Sequence, residues 1–396
     1  MNAPPPGYPV GPPPGGYAPP EYPPSAYGAP PGYGPPAYGP GPAYGAPAYG
    51  PPPGYGSPFG YGPPPGSQYG PPVPGAVKPG IIPLRPLTLS DIFNGAVGYI
   101  RANPGPTLGL TAMVVVVMQI VSLVATLGPL AAYGGITTGR PDELSWGVAG
   151  TWMASMAAGL LVTWLGGMLL SGMLTVIVGR AVFGSPITIG ETWAKIRGRL
   201  LPLLGLALLE AAVVAALFGL VAVIVALLAA VGNPAAPVLL GFPLVLVVLV
   251  LMVYLYTVVL FAPVLIVLER LPVVDAITRS FALVRNGFWR VLGIRALTFL
   301  VATVVAEALA APFSIVGQVA LAGHTTGALV LGTAIASVGG TIGQIITAPF
   351  NAGVIVLLYT DRRMRAEAFD LVLQTGAAGG PYAVASTDNL WLTRPV

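Results

Sequence analysis

Two residue types that build most metal and redox centres are nearly missing from this sequence. It has no cysteine and one histidine, His324. The lack of cysteine excludes disulfides and thiolate metal sites, and one histidine cannot form a centre built on several. We therefore predict no bound metal and no catalytic residue of these kinds.

Charged residues are also scarce, at 8% of the chain against 55% hydrophobic residues. A soluble domain carries about 25% charged residues, so these side chains are too few to cover a water-facing surface, and lipid is the expected surrounding. The sequence holds no phosphate-binding loop, dinucleotide fingerprint or nucleophile-elbow serine. We expect neither an enzyme nor a cofactor, and the basic residues fit membrane topology better than nucleic-acid binding.

Residues 1–80 form a tail of low complexity. They hold 29 of the 46 prolines and 11 of the 17 tyrosines. Such a composition cannot build a core, which predicts disorder with local polyproline II structure. Short Pro-Pro-x-Tyr runs, such as Pro30 to Tyr33, recur along it. Two interpretations stay open: the runs dock protein partners by avidity, or the tail is a spacer without a partner.

After the tail come six apolar runs that are long enough to cross a bilayer. They lie at 105–127, 148–178, 201–230, 238–267, 291–320 and 328–359. The predicted fold is an all-α polytopic membrane domain over residues 81–373, followed by a flexible C-terminal tail at 374–396. Because no secretory signal peptide is recognisable, the first span is expected to direct its own insertion. Prolines are candidate kink sites at Pro243, Pro263, Pro312 and Pro349.

The basic residues predict the orientation of these spans. Of the 17 lysines and arginines, 15 lie in the tails and in alternate loops, Arg295 lies just inside span five next to such a loop, and only Arg140 lies in an opposite loop. Basic loops stay in the cytoplasm. We expect a protein of the cytoplasmic (inner) membrane with both termini in the cytoplasm.

The basic loops contain an internal repeat. Residues 86–93 and 186–193 share proline, threonine, an acid and an aromatic residue at an offset of 100, and a weaker copy begins at Pro272. The predicted unit is a short interfacial helix followed by a transmembrane hairpin, used three times. An interfacial helix would offer arginine to anionic lipid headgroups; alternatively, the short helices cap the spans in the cytoplasm. The candidate headgroup contacts are Arg197, Arg199, Arg279, Arg285 and Arg290.

Polar side chains within the spans are the other candidate site, because they are costly in lipid. Glu210 and Glu307 are the acidic ones. We expect a polar stripe on span five to face another on span six; the stripes are Thr303, Glu307, Ser314 and Gln318, and Thr333, Ser337, Thr341, Gln344, Thr347 and Asn351. One interpretation is a polar cavity for a small solute, a lipid headgroup or a proton; the other is ordinary hydrogen bonding between helices. The candidate substrate-binding residues are Glu210, Glu307, Gln318, Gln344 and Asn351.

Small residues spaced four apart predict close helix packing, and a homo-oligomer could also use them. Two such ladders were identified, Gly167, Ser171, Thr175 and Gly179 in span two, and Gly332, Ala336 and Gly340 in span six.

Two segments resemble a known family. Arg279–Arg290, reading RSFALVRNGFWR, and Tyr359–Leu373 resemble the bacterial membrane domain found beside some glycerophosphoryl diester phosphodiesterases. The tail is similar to proline- and glycine-rich membrane proteins of actinobacteria. The likeness covers residues 86–373, and the catalytic domain of the phosphodiesterases is missing. The resemblance therefore implies membrane embedding but no hydrolysis.

Two functions follow as hypotheses. The first is a non-catalytic interaction platform at the cell envelope whose tail recruits partners. The second is a transporter or lipid-handling protein with a polar site around Glu210 and Glu307.

Overall fold

The fold is all-helical through the residues that the computed structural model describes, which are 80–132, 146–230, 235–323, 325–377 and 387–392. The helices are Leu89–Ala102 (α1), Leu110–Ala132 (α2), Trp146–Ala181 (α3), Ile189–Ile196 (α4), Leu200–Ala230 (α5), Ala235–Val259 (α6), Ala262–Val264 (α7), Val273–Arg285 (α8), Phe288–Leu321 (α9), Thr326–Glu367 (α10) and Phe369–Ala377 (α11). Residues 1–79 of the tail predicted at 1–80, and also Arg140 and His324, lie outside the described residues.

Within these described ranges, six helical stretches are long and apolar enough to cross a membrane. They correspond to α2, α3, α5, α6 with its continuation to Glu269, α9 and α10. Their outer surfaces are apolar, as lipid requires: the side chain of Leu201 is 81% exposed. The protein is thus a multi-pass membrane protein, and the predicted number of spans is confirmed.

The four prolines predicted as kink sites differ in their effect. Pro243, Pro312 and Pro349 lie inside continuous helices. Pro263 instead lies at a break, because α6 ends at Val259 and α7 begins at Ala262. Proline is accepted in the first turn of a helix, where its missing N–H would have had no partner in any case.

Short helices precede three of the membrane hairpins. At the start of α1, the Thr88 hydroxyl accepts a hydrogen bond from the Asp91 backbone N–H, and the Asp91 carboxylate accepts one from the Thr88 backbone N–H. Thr188 and Glu191 form the same capping box at the start of α4. The two motifs lie 100 residues apart, as the sequence pattern predicted. The third helix, α8, follows Pro272 and has no side-chain cap.

Burial is concentrated where the polar ends of the spans meet. The buried core includes Leu87, Tyr99, Phe261, Leu265 and Tyr359, all at the ends of helices or in the connections between them. Gly80 brings the chain before α1 against the backbone that follows α3, leaving no space for a Cβ atom. Hence the chain segments that carry most of the arginines gather at one end of the bundle.

Helices α9 and α10 pack closely through small residues. A Cβ on Gly317 would lie 2.7 Å from the Gly332 oxygen, and one on Gly343 would lie 2.9 Å from the Ala306 oxygen. The predicted ladder in span six holds at Gly332 but not at Gly340, which has no neighbour within 4 Å. In span two, Gly179 is packed while Gly167 is open.

Candidate functional site

The polar residues predicted within the spans have separate surroundings in the part of the chain that the structure describes. Glu307, Gln318 and Gln344 are exposed on the surfaces of α9 and α10, because small residues make the contact between these helices. The expectation that the two polar stripes face each other is wrong. Neither of the two described cavities is lined by any of the five candidate substrate-binding residues.

The remaining two of those residues have different surroundings. Glu210 is half-buried on α5. Asn351 accepts a hydrogen bond at 2.8 Å from Arg295 and donates to the Thr347 oxygen of its own helix. Arg295 also donates to the Tyr256 hydroxyl. Asn351 therefore joins α10 to α9 and is satisfied by protein groups.

The five arginines predicted to contact headgroups fall into two sets. Arg197 and Arg199 line an open cavity, and Arg285 is exposed outside it. By contrast, Arg279 and Arg290 form ion pairs with buried carboxylates. These two arginines stabilise the fold, because a buried charge must be paired.

The first buried carboxylate belongs to Glu269. Its Oε1 accepts from the Tyr359 hydroxyl at 2.6 Å, and its Oε2 lies 2.6 Å from Arg279 Nε. Arg363 lies 3.5 Å away and also pairs with Glu367, which contacts Arg279 as well. Two carboxylates and two arginines thereby join the π-helical turn Leu265–Glu269, α8 and α10.

The second buried carboxylate belongs to Asp361. It accepts from the Leu87 backbone N–H at 2.8 Å, and ion pairs link it to Arg290 and Arg365. The same two arginines donate to the Leu87 oxygen. This contact fixes the chain before α1 to α9 and α10.

A basic cavity lies beside these clusters, with a volume of about 430 Å³. Helices α3 and α4, the turn that follows α4 and the end of the Leu265–Glu269 turn all contribute to it. Its cationic lining residues are Arg180, Lys195, Arg197, Arg199 and Arg270. Only one carboxylate, that of Asp388, belongs to the lining.

The cavity is held in shape by backbone contacts as well as charge. Arg199 donates to the Arg270 oxygen at 3.4 Å. Arg270 itself has φ of 58°, a left-handed conformation that residues other than glycine rarely adopt. Such a backbone persists only where its surroundings impose it, and here it ends the π-helical turn at the cavity wall.

Asp388 reaches this cavity from the C-terminal segment 387–392. Its Oδ1 lies 3.1 Å from Arg180 Nε, and its Oδ2 pairs with Lys195. Trp391 anchors the segment. It is 2% exposed and its ring packs on that of Phe183, and its backbone oxygen accepts a hydrogen bond from Arg363 at 3.0 Å. This part of the predicted flexible tail is packed onto the membrane domain.

A second cavity of about 450 Å³ is almost wholly apolar and lies between α2, α3 and α5. Both cavities use one face of α3, because Leu169, Val176 and Arg180 follow each other at intervals of seven and four. Leu169 and Arg180 are about 16 Å apart along the helix axis, at 1.5 Å per residue. We refer to this cavity as the apolar groove.

Only part of this arrangement is predictable from sequence patterns. They identify Arg197 and Arg199, but not Asp388 or Trp391, which lie about 190 residues away in sequence. Glu269 and Asp361 each follow an apolar run and precede an arginine. Acidic residues at the ends of apolar runs are the signal that would have identified them.

Residues 87–361 match the family described as a domain of unknown function (DUF7847). No curated protein and no solved structure matches the chain. The matched range lies inside the region 86–373 expected from the two resembling segments. The finer likeness to the phosphodiesterase-associated membrane domain is not part of this match and stays a prediction.

Proposed function

The chain belongs to the family of this domain of unknown function, and we propose that it is a non-catalytic membrane protein that binds an anionic lipid headgroup in the basic cavity. The observation that carries the proposal is the charge of the lining, five cationic side chains against one carboxylate. A phosphate group would supply the missing negative charge and accept hydrogen bonds from several arginines at once.

The apolar groove favours a lipid over a soluble anion. A ligand with its phosphate at Arg180 and its acyl chain along Leu169 would span about 16 Å, within the length of a phospholipid. Between the two cavities, the buried side chains of Ile196 and Leu203 pack on Gly172, so the ligand would pass over these two side chains to reach both. The two cavities together match the two chemical parts of one amphipathic molecule.

Topology supports the same ligand. We propose that the basic end of the bundle lies in the cytoplasm, because 16 of the 17 lysines and arginines lie in or directly beside the tails and alternate loops on that side. Anionic lipids give the cytoplasmic leaflet a negative surface potential. The exposed Trp193 and Trp289, at 49% and 80%, suit the headgroup zone beside α4 and α8.

We also propose the threefold repeat as the origin of this architecture. Its first two copies share the capping box at Thr88 and Thr188. In the third copy, which begins at Pro272, Arg279 and Arg290 would stabilise the fold through their ion pairs with Glu269 and Asp361. The resemblance to the phosphodiesterase-associated membrane domain fits this interpretation, with no hydrolytic role.

The test is a binding titration with the purified full-length protein in detergent micelles. A fluorescent short-chain phosphatidylglycerol is the probe, and phosphatidylcholine of equal chain length is the zwitterionic comparison. We expect the double variant Arg197→Gln/Arg199→Gln to bind phosphatidylglycerol at least about tenfold more weakly, since two charge-assisted contacts are lost. Arg285→Gln is the matched control, because Arg285 is exposed outside the cavity.

Three outcomes decide the proposal. Preference for phosphatidylglycerol that depends on Arg197 and Arg199 supports it. Equal binding of both lipids, or an equal loss on Arg285→Gln, contradicts it. Competition by glycerol phosphate at the same concentration as the lipid would assign the cavity to a soluble anion instead.

The interaction platform remains a second proposal that depends on the tail. Residues 1–79 lie outside the described residues, so its support is the Pro-Pro-x-Tyr pattern alone. Deleting residues 1–79 is expected to remove protein partners while leaving lipid binding unchanged. Affinity capture with the full and the shortened chain checks this, and identical partner sets would contradict the platform.

A further inference from the structure

The carboxylate of Asp388 occupies the place where the basic cavity would hold an anion. It contacts two of the five lining cations, with Oδ1 at 3.1 Å from Arg180 Nε and Oδ2 paired with Lys195. A carboxylate and a phosphate use the same donors, because both accept charge-assisted hydrogen bonds from arginine and lysine. Bound lipid phosphate and Asp388 would therefore compete for one position.

We infer that Asp388 is a built-in competitor that lowers the affinity of the cavity for anionic lipid. This inference rests on the proposed function and adds a regulatory part to the same site. Phosphate binding requires Asp388 to leave Arg180 and Lys195, or else places two negative charges side by side.

The surroundings of the C-terminal segment indicate a fixed position for the competing group. The Trp391 ring stacks on Tyr359 with 6.4 Å between centroids and lies 5.4 Å from Phe369. The indole also lies beside α3, since a Cβ added at Gly179 would be in van der Waals contact with Nε1 at 3.7 Å. With this anchor three residues away, Asp388 is presented to the cavity at a high effective concentration.

The position of Asp388 differs from that of the structural carboxylates. The side chains of Glu269 and Asp361 are 0% exposed, whereas that of Asp388 is 27% exposed. Its partners Arg180 and Lys195 belong to the cavity lining. Removal of the Asp388 charge therefore leaves cations that solvent or an incoming anion can reach, and the fold does not depend on it as it does on Glu269.

The experiment repeats the phosphatidylglycerol titration with Asp388→Asn. We expect the affinity to rise at least about tenfold, because a like charge at contact distance is removed, while phosphatidylcholine binding stays unchanged. Asp388→Glu restores the carboxylate and should return the affinity to near the wild-type value. Asp370→Asn makes the same charge change on α11, outside the cavity lining, and is the matched control.

The outcomes separate this inference from the proposed function. If Arg197→Gln/Arg199→Gln weakens binding while Asp388→Asn leaves it unchanged or lowers it, the cavity binds lipid but Asp388 does not compete. If Asp370→Asn raises the affinity as much as Asp388→Asn, the effect is one of net charge and the inference is wrong. Asp388→Ser serves as a second uncharged variant should the amide side chain pair with Arg180.

Discussion

The buried carboxylate of Glu269 offers the sharpest test of the charged cluster that joins the Leu265–Glu269 turn, α8 and α10. Its side chain is 0% exposed and contacts Arg279 at 2.6 Å and the Tyr359 hydroxyl at 2.6 Å. Arg363, only 4% exposed, lies 3.5 Å away. The substitution Glu269→Gln keeps the shape of the side chain and removes only its charge.

The expected loss follows from the partners that remain. Removing one member of a buried ion pair destabilises a protein by about 3–5 kcal/mol. Because Glu367 still faces Arg279 and Arg363, we expect the lower end, about 3 kcal/mol. At about 2–4 °C per kcal/mol for domains of 150–250 residues, the unfolding midpoint should fall by roughly 6–12 °C.

The assay is thermal unfolding of the purified protein in one detergent, followed by tryptophan fluorescence. Glu367→Gln is the matched control, because Glu367 contacts the same two arginines but is 30% exposed. Its loss should be within about 1 kcal/mol, as for exposed pairs. Equal midpoints for Glu269→Gln and Glu367→Gln would refute the reasoning that burial sets the strength of this cluster.

Two further predictions concern packing and orientation. Gly353→Ala would place a Cβ 2.5 Å from the Tyr99 ring and should lower the free energy of unfolding by about 1–3 kcal/mol. Gly340→Ala is the control, because its Cβ would meet no atom within 4 Å. Similar unfolding midpoints for the two variants would count against the packing described. In this cysteine-free chain, Arg140→Cys should react with a membrane-impermeant maleimide in intact cells and Arg285→Cys only after lysis, and the reverse pattern would overturn the proposed orientation.

The candidate site shows where inference from one helix at a time fails. The stripe of Thr303, Glu307 and Gln318 shares one side of α9, as helical spacing predicts. Spacing does not say which side meets a neighbour, and the contact with α10 is made by Ala306 and Gly317. Backbones approach most closely where side chains are smallest, so the polar side stays exposed.

The charged residues show the same limit in another form. Arg197, Arg279 and Arg290 look alike in sequence, since each lies in or near a short helix between two apolar runs. Only Arg279 and Arg290 meet buried carboxylates, Glu269 and Asp361. Partners 10 and 71 residues away, brought together by helix packing, decide which arginine is structural and which lines a cavity.

The six membrane helices found among the described residues follow from sequence alone, because the length and hydropathy of each run suffice for that and need no neighbour. The capping boxes at Thr88 and Thr188 follow from sequence too, since their groups lie three residues apart. The contact of Asp388 with Arg180, across 208 residues, depends instead on tertiary packing. Local geometry is encoded in adjacent residues, whereas a binding cavity depends on which distant side chains the packed helices bring within hydrogen-bonding distance.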